Sequence, residues 1–397
     1  MAQKISEKTS PKPNGINKAR RPFGDPVSYS KANPRFTPIP ATYKMPADLT
    51  MDLANIVPAQ TMKNITAGGK LVFHVAGDTG GISGTQIQSA LAEQMEAQIT
   101  SAATGSAPGF FYHLGDVVYF NGISTDYDPQ FYEPYQYYPA PIVAIPGNHD
   151  CDNLTRAGDP SDPEPSMTGF MSNFCNSATP FNSPYRKALN QPWPYWTLNT
   201  PFATFIGLFS NVDGSLDAAK GTAQYDWFVA QLKAAPNNKC LIVSLHHPCF
   251  SLDTAHGGYP GILATLDKAF AAAKRNPDIV FSGHVHDYQR FTRTLGSAQI
   301  PYVIAGAAGY ATTLISMHKV QKDPKTNAGI VVPFQTTRKD VVLSKYNDAN
   351  PGFLRITIDA QFLTGEYFTN TFDGSTAPVN AYDIFKLDWK KNTLVVA

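Results

Sequence analysis

His284 and His286 stand one residue apart, just after a short apolar run (residues 279–281) and a glycine, Gly283. A backbone turn at Gly283 would aim two imidazoles into one small volume, and imidazole is the commonest metal-ligating side chain. Alone, His-x-His says little, because two surface histidines on a loop give the same pattern. It gains content because four apolar runs upstream end in residues of the same class. Residues 71–76 lead to Asp78, and residues 109–114 to Asp116 with Tyr119 close behind. Residues 141–145 lead to Asn148 and His149, and residues 241–245 to His246.

The resulting set combines carboxylate, imidazole, amide oxygen and phenol, with no thiolate. Such donors suit hard or borderline ions such as zinc, manganese and iron. Seven donors (Asp78, Asp116, Tyr119, Asn148, His246, His284 and His286) are too many for one tetrahedral ion. They suit two ions sharing a bridging carboxylate. Two metals about 3.5–4 Å apart clamp the oxygens of a phosphoryl displacement and lower the pKa of a bound water. The chemistry implied is metal-assisted hydrolysis of a phosphate ester.

Elements must bring these residues together. The runs are continuously apolar, as in parallel strands covered on both faces. Between them lie helical patterns: Ile87, Leu91, Met95 and Ile99; then Tyr225, Phe228, Val229 and Leu232; then Ile262, Leu263, Leu266, Phe270 and Ala273. This alternation predicts a layered α/β fold with right-handed crossovers. Parallel strands put their carboxyl ends, and so the candidate ligands, on one side. Residues 203–209, 301–305, 353–359 and 362–369 read as further strands, the last two paired. The proline-dense residues 1–48 read as a disordered tip and an extended surface arm, and residues 49–397 as one domain with an insertion at about 151–200.

Composition narrows the partners. A net charge of +1 over 397 residues gives no general attraction to nucleic acid or anionic membranes. No run reaches the roughly 18–20 apolar residues that span a bilayer. The start of the chain is polar and lysine-dotted, and no apolar stretch follows Arg20-Arg21. As written, this reads as a cytoplasmic protein, or as a secreted or periplasmic one whose leader has been removed. Cys151, Cys175, Cys240 and Cys249 show no Cys-x-x-Cys spacing and read as thiols, although Cys151 and Cys175 bracket one polar insertion and could pair in an oxidising compartment.

The motifs Gly77-Asp78-Thr79-Gly80, Gly115-Asp116-Val117-Val118-Tyr119, Gly147-Asn148-His149-Asp150, Val243-Ser244-Leu245-His246 and Gly283-His284-Val285-His286 carry a resemblance. Together they resemble the calcineurin-type metallophosphoesterases, and within them the purple acid phosphatases, over about residues 70–312. General members have Asp-x-His in the first motif. Here the third position is Gly80, and Tyr119 stands where purple acid phosphatases supply a tyrosine. The resemblance implies a sandwich of two mixed β-sheets flanked by helices. It also implies a first metal on Asp78, Tyr119, His286 and bridging Asp116, and a second on Asp116, Asn148, His246 and His284. The first would be Fe(III), whose charge transfer with the phenolate gives colour, and the second Fe, Zn or Mn. His149 would contact the substrate phosphate. His256 stands where the family often has another substrate-facing histidine, and either could protonate the leaving alkoxide. The implied reaction is hydrolysis of a small phosphate monoester, with in-line attack by metal-bound hydroxide. A phosphodiesterase or nucleotide-cleaving enzyme on the same site, or a non-catalytic binding protein of this fold, are the alternatives.

Other residues carry expectations of their own. His74 and His113 lie within apolar runs and read as core histidines with hydrogen-bond partners. His247 points away from His246. Asp150 and Asp287 follow ligands and could orient imidazoles. The aromatic cluster of Phe131, Tyr132, Tyr135, Tyr137 and Tyr138 reads chiefly as packing, part of it rimming the pocket.

Overall fold

The apolar runs fold as short parallel strands, each stopping where its candidate ligand begins. The structure, a computed structural model, describes residues 21–28, 37, 39–151, 164–175, 183–187, 189–212, 216, 223–375 and 378–395. Residues 1–20, expected as a disordered tip, lie outside these, as does much of the insertion at 151–200.

Two mixed sheets face each other. In the seven-stranded sheet, Lys70–Ala76, Phe111–His113 and Ile142–Ala144 run parallel. On the other side of Lys70–Ala76 the antiparallel strands Gly352–Asp359, Phe362–Thr369, Asp383–Asp388 and Thr393–Val395 extend the sheet. The nine-stranded sheet is built on the parallel set Ala203–Leu208, Cys240–Leu245, Ile279–Ser282 and Ala298–Ala305. Thr50–Asp52 and Trp196–Asn199 lie beyond one edge of that set, and Tyr288–Leu295, Val341–Asn347 and Phe334–Gln335 beyond the other.

Alternation along each strand divides its side chains between two layers. Phe73 and Val75 point between the sheets and join Tyr112, Phe205, Ile242, Phe281, Leu354 and Ile356 in one core. Phe73 stacks on Phe110 at 5.0 Å and meets Phe205 edge-on at 5.0 Å. Each such side chain, fully buried, stabilises the fold by about 1.5–3 kcal/mol. The opposite faces are covered by helices. Gln86–Thr100 buries Ile87, Leu91 and Met95 over the first sheet, while Ala223–Ala234 and Pro260–Ala273 bury Phe228, Leu232, Ile262, Leu266 and Phe270 over the second.

A polar clamp ties the layers near the site. Arg290 forks onto Asp383 (Nε to Oδ2 2.7 Å, second nitrogen to Oδ1 3.0 Å), and the Tyr288 hydroxyl donates to the same carboxylate at 2.7 Å. Tyr288 also stacks on Tyr367 at 3.9 Å. Residues 21–28 lie against the outer face of the second sheet. There the Gly24 N–H donates to Gln321 Oε1 at 2.9 Å, and Phe23 packs on Phe334.

Candidate active site

Every candidate ligand follows the carboxyl end of a strand, Tyr119 the farthest from it. The first sheet delivers Asp78, Asp116, Tyr119, Asn148 and His149, and the second delivers His246, His284 and His286. Asp78, Asp116 and His284 have φ of 59°, 51° and 69°, the left-handed region that non-glycine residues rarely enter. These sharp turns aim side chains across the seam instead of along the strand.

Two donor groups result. Around the Tyr119 hydroxyl stand Asp116 Oδ2 at 3.0 Å, Asp78 Oδ1 at 3.3 Å and His286 Nε2 at 3.3 Å. Around Asn148 Oδ1 stand His284 Nδ1 at 2.8 Å and His246 Nε2 at 3.1 Å, and His246 Nε2 lies 3.4 Å from Asp116 Oδ2. Asp116 Oδ2 thus belongs to both groups. Donors bound to one ion at about 2.1 Å lie about 3.0–3.4 Å apart in octahedral or tetrahedral geometry. The spacings fit two ions sharing one carboxylate.

The electrostatics agree. Asp78, Asp116, His246, His284 and His286 are buried. Burial disfavours a charged His246, but the Asp116 and Asp78 carboxylates outweigh it and hold its pKa at about 9. Burial also opposes ionisation of Asp116, which His246 and His149 nevertheless hold well below the usual carboxylate range. Burial, followed by the neighbouring imidazoles, pushes His284 and His286 down, leaving both neutral with lone pairs to offer. Burial and the two carboxylates push the Tyr119 phenol well up. Burial, then the Asp116 carboxylate, pushes Asp78 well up, so the pocket favours positive charge beside its carboxylates.

Partners fix the ligand orientations. His246 Nδ1 donates to the Leu114 carbonyl at 2.9 Å, leaving Nε2 for the site. His284 Nε2 lies 2.9 Å from the Tyr259 hydroxyl, leaving Nδ1. The Asp116 carboxylate accepts the His149 N–H at 2.8 Å. The His149 ring packs on Tyr119 at 4.4 Å, and its Nδ1 donates to the Phe120 carbonyl at 2.9 Å. His256 reaches the site too, its ring centroid 4.5 Å from that of His284.

Gly80 explains the pairing of motifs. A Cβ there would lie 2.7 Å from Tyr119 Cδ2 and 2.8 Å from Val118 Cα. The Tyr119 ring fills the space that any side chain at position 80 would need, so a histidine there and a tyrosine at 119 exclude each other.

Residues 71–288 match the family model of the calcineurin-like phosphoesterases, more than half of the chain. The chain belongs to that family. Within it, 108 residues are 31% identical to Purple acid phosphatase 21 of Arabidopsis thaliana, covering 25% of this chain and 24% of that protein. Among solved structures, the purple acid phosphatase PPD1 of yellow lupin (Lupinus luteus) superposes with a TM-score of 0.56 at 18% identity, over 80% of this chain and 54% of that one. GAP50, the anchor in the inner membrane complex of Plasmodium, gives 0.53 at 12% identity, over 80% and 89%. PhoD gives 0.51 at 12% identity, over 82% and 71%. At these identities the structural matches show the fold alone. This phosphoesterase-family chain spans about a quarter of the Arabidopsis protein and about half of the lupin one. Among the described residues no helix is long and apolar enough to cross a membrane.

Some expectations need correction. Among the described residues, the Asp150 carboxylate bonds backbone amides instead of an imidazole: it accepts the N–H groups of Gly147 at 2.8 Å and Val117 at 3.0 Å, bracing two ligand loops. Burial, then the Asp116 carboxylate, pushes Asp150 up to about 7. Asp287 accepts from Gln289 Nε2 instead. Phe131, Tyr132, Tyr135 and Tyr138 are buried in the layer beneath helix Gln86–Thr100 and pack there, whereas Tyr137 is exposed. Besides Tyr119 and Tyr259, Phe120 and Tyr310 lie at the site, the latter stacked 4.1 Å from Tyr119. His74 bonds Tyr138 and Gln98, His113 bonds Thr79, and burial pushes both imidazoles down to about 3. His247 bonds Ser210 Oγ at 2.9 Å. Cys151 and Cys175 are thiols, and Cys151 donates to the Gly147 carbonyl.

Sequence reasoning missed Tyr259, Tyr310 and His318. Tyr310 directly follows the small-residue turn Gly306-Ala307-Ala308-Gly309 at the end of strand Ala298–Ala305, and that was its one signal.

Proposed function

We propose that this chain hydrolyses phosphate monoesters at a dinuclear metal centre of the purple acid phosphatase kind. The observation that carries the reading is the pair of donor groups sharing Asp116 Oδ2. Asp78, Tyr119, His286 and Asp116 would hold one ion, and Asn148, His246, His284 and Asp116 the other. The ions supply Lewis acidity toward the phosphoryl oxygens and a lowered pKa for water. Tyr119, as the hard anionic donor, favours Fe(III) in its site, and the second would take Fe, Zn or Mn. The chain's own residues do the rest. Tyr119 and Phe120 hold His149 at the mouth of the site, where it orients the phosphate. As the new oxygen–phosphorus bond forms opposite the breaking ester bond, a proton from His149 or His256 goes to the departing alkoxide.

A diesterase or nucleotide-cleaving activity would use the same residues. A non-catalytic binding role on this fold is opposed by a donor set with no member missing. The test is metal analysis and a visible spectrum of the purified protein beside Tyr119→Phe, with rates on a monoester and a diester. Iron, colour lost in the variant and faster monoester turnover are expected. A protein that takes up no metal after reconstitution defeats the reading.

A further inference from the structure

The loop after strand Ala298–Ala305 returns to the site at His318, which no motif announces. Its backbone N–H donates to the His286 carbonyl at 3.2 Å, and its Nδ1 accepts the His286 N–H at 3.0 Å. Two bonds therefore seat it on a candidate ligand. The His318 ring stacks on His286 (4.2 Å, 17°) and on His256 (4.6 Å, 27°). His256 in turn meets His284 edge-on at 4.5 Å. The two imidazoles thus lie over both donor groups, one against each.

Asp253 completes a cluster whose residue types could hold a third ion. Its hydrogen bonds argue against that. Oδ1 accepts from Ser251 Oγ and the Gly257 N–H, each at 2.7 Å, and Oδ2 accepts the N–H groups of Ala255 at 2.8 Å and His256 at 2.7 Å. Four donors occupy the about four acceptor positions of a carboxylate. Asp253 is committed to shaping the turn that carries His256. His318 has a defined tautomer as well: because Nδ1 accepts a backbone N–H, the proton of the neutral ring sits on Nε2.

We propose that His318 and His256 form an imidazole pair that grips the phosphoryl group, with His318 Nε2–H donating to a non-bridging oxygen. The inference rests on the phosphoesterase reading above and adds a substrate-contacting residue to it. The test uses the metal-loaded full chain, with metal content and calorimetric binding of inorganic phosphate as readouts. His318→Asn keeps an acceptor at the Nδ1 position and removes the Nε2 donor, whereas His318→Gln restores an N–H near Nε2. Unchanged metal content is expected in both, with phosphate affinity about 10-fold or more weaker in the Asn variant and largely recovered in the Gln variant.

An Asn variant that binds phosphate like wild type would show that His318 merely anchors its loop, and would overturn the inference. So would loss of metal in that variant, which would mean that His318 acts through His286, and so would a Gln variant as weak as the Asn variant. A wild-type protein that takes up no metal overturns the phosphoesterase reading, and this inference with it. An active wild type with an unaltered Asn variant overturns this inference alone.

Discussion

Gly80→Ala puts the exclusion between positions 80 and 119 to a direct test. The added methyl would lie 2.7 Å from Tyr119 Cδ2, 2.8 Å from Val118 Cα and 2.9 Å from Gln130 Oε1. Ordinary carbon contacts need about 3.5–4.0 Å, so the loop must retreat by close to an ångström. It cannot do so freely, because Gln130 clamps it: the Tyr119 N–H donates to Gln130 Oε1 at 2.9 Å, and Gln130 Nε2 donates to the Tyr119 carbonyl at 2.7 Å. Overpacking costs about 1–3 kcal/mol, and straining the two clamp bonds adds about 0.5–1.5 kcal/mol each. A loss of about 2–6 kcal/mol is expected in urea unfolding with chelator present. The Tyr119 hydroxyl should also leave the other donors, lowering metal occupancy in the reconstituted protein. A Gly80→Ala protein with wild-type stability and full metal content would refute the claim that the phenol ring occupies the place of a side chain at position 80.

Other perturbations test separate parts of the argument. Tyr259→Phe removes the partner 2.9 Å from His284 Nε2 and should weaken metal binding about 10–100-fold with the fold intact, as read by chelator competition. Asp116→Ala removes the oxygen common to both donor groups, and elemental analysis should find both metals depleted together; retention of one full equivalent would deny the bridge. Burial pushes Asp278 up to about 6 despite hydrogen bonds from the Leu241 N–H and Asn392. The folded chain therefore holds this proton more tightly than the unfolded chain. The associated stability is complete below about pH 4 and is lost as pH rises through 6, about 3 kcal/mol in all. Asp278→Asn should flatten that part of the stability–pH curve, and an unchanged slope would rule the group out.

The parallel strands were readable because each is a largely apolar run ending in a turn, the pattern that burial on both faces imposes. The donors were readable for the same reason, since each lies within a few residues of a strand end. The antiparallel strands Tyr288–Leu295, Val341–Asn347 and Asp383–Asp388 were harder to see, because polar residues such as Arg290, Arg293, Lys345 and Lys386 interrupt them. His318, Tyr310 and Tyr259 were missed on other grounds. They reach the site from connections without periodicity, and their neighbours there lie far away in sequence, as His318 does from His256. Asp150 misled because adjacency to His149 suggested a partner, whereas its carboxylate turns to the backbone amides of two loops.

The division of donors between the sheets has a consequence for biosynthesis. The oxygen donors Asp78, Asp116, Tyr119 and Asn148 leave the ribosome well before His246, His284 and His286, so a growing chain first exposes half a coordination sphere. The sheet bearing that half gains its neighbouring strand Gly352–Asp359 only after all the imidazoles have emerged. On the proposed reading, capture of both ions would wait for the two layers to dock, which would make metal loading one of the last events in maturation and keep the nascent chain from premature or mismatched uptake.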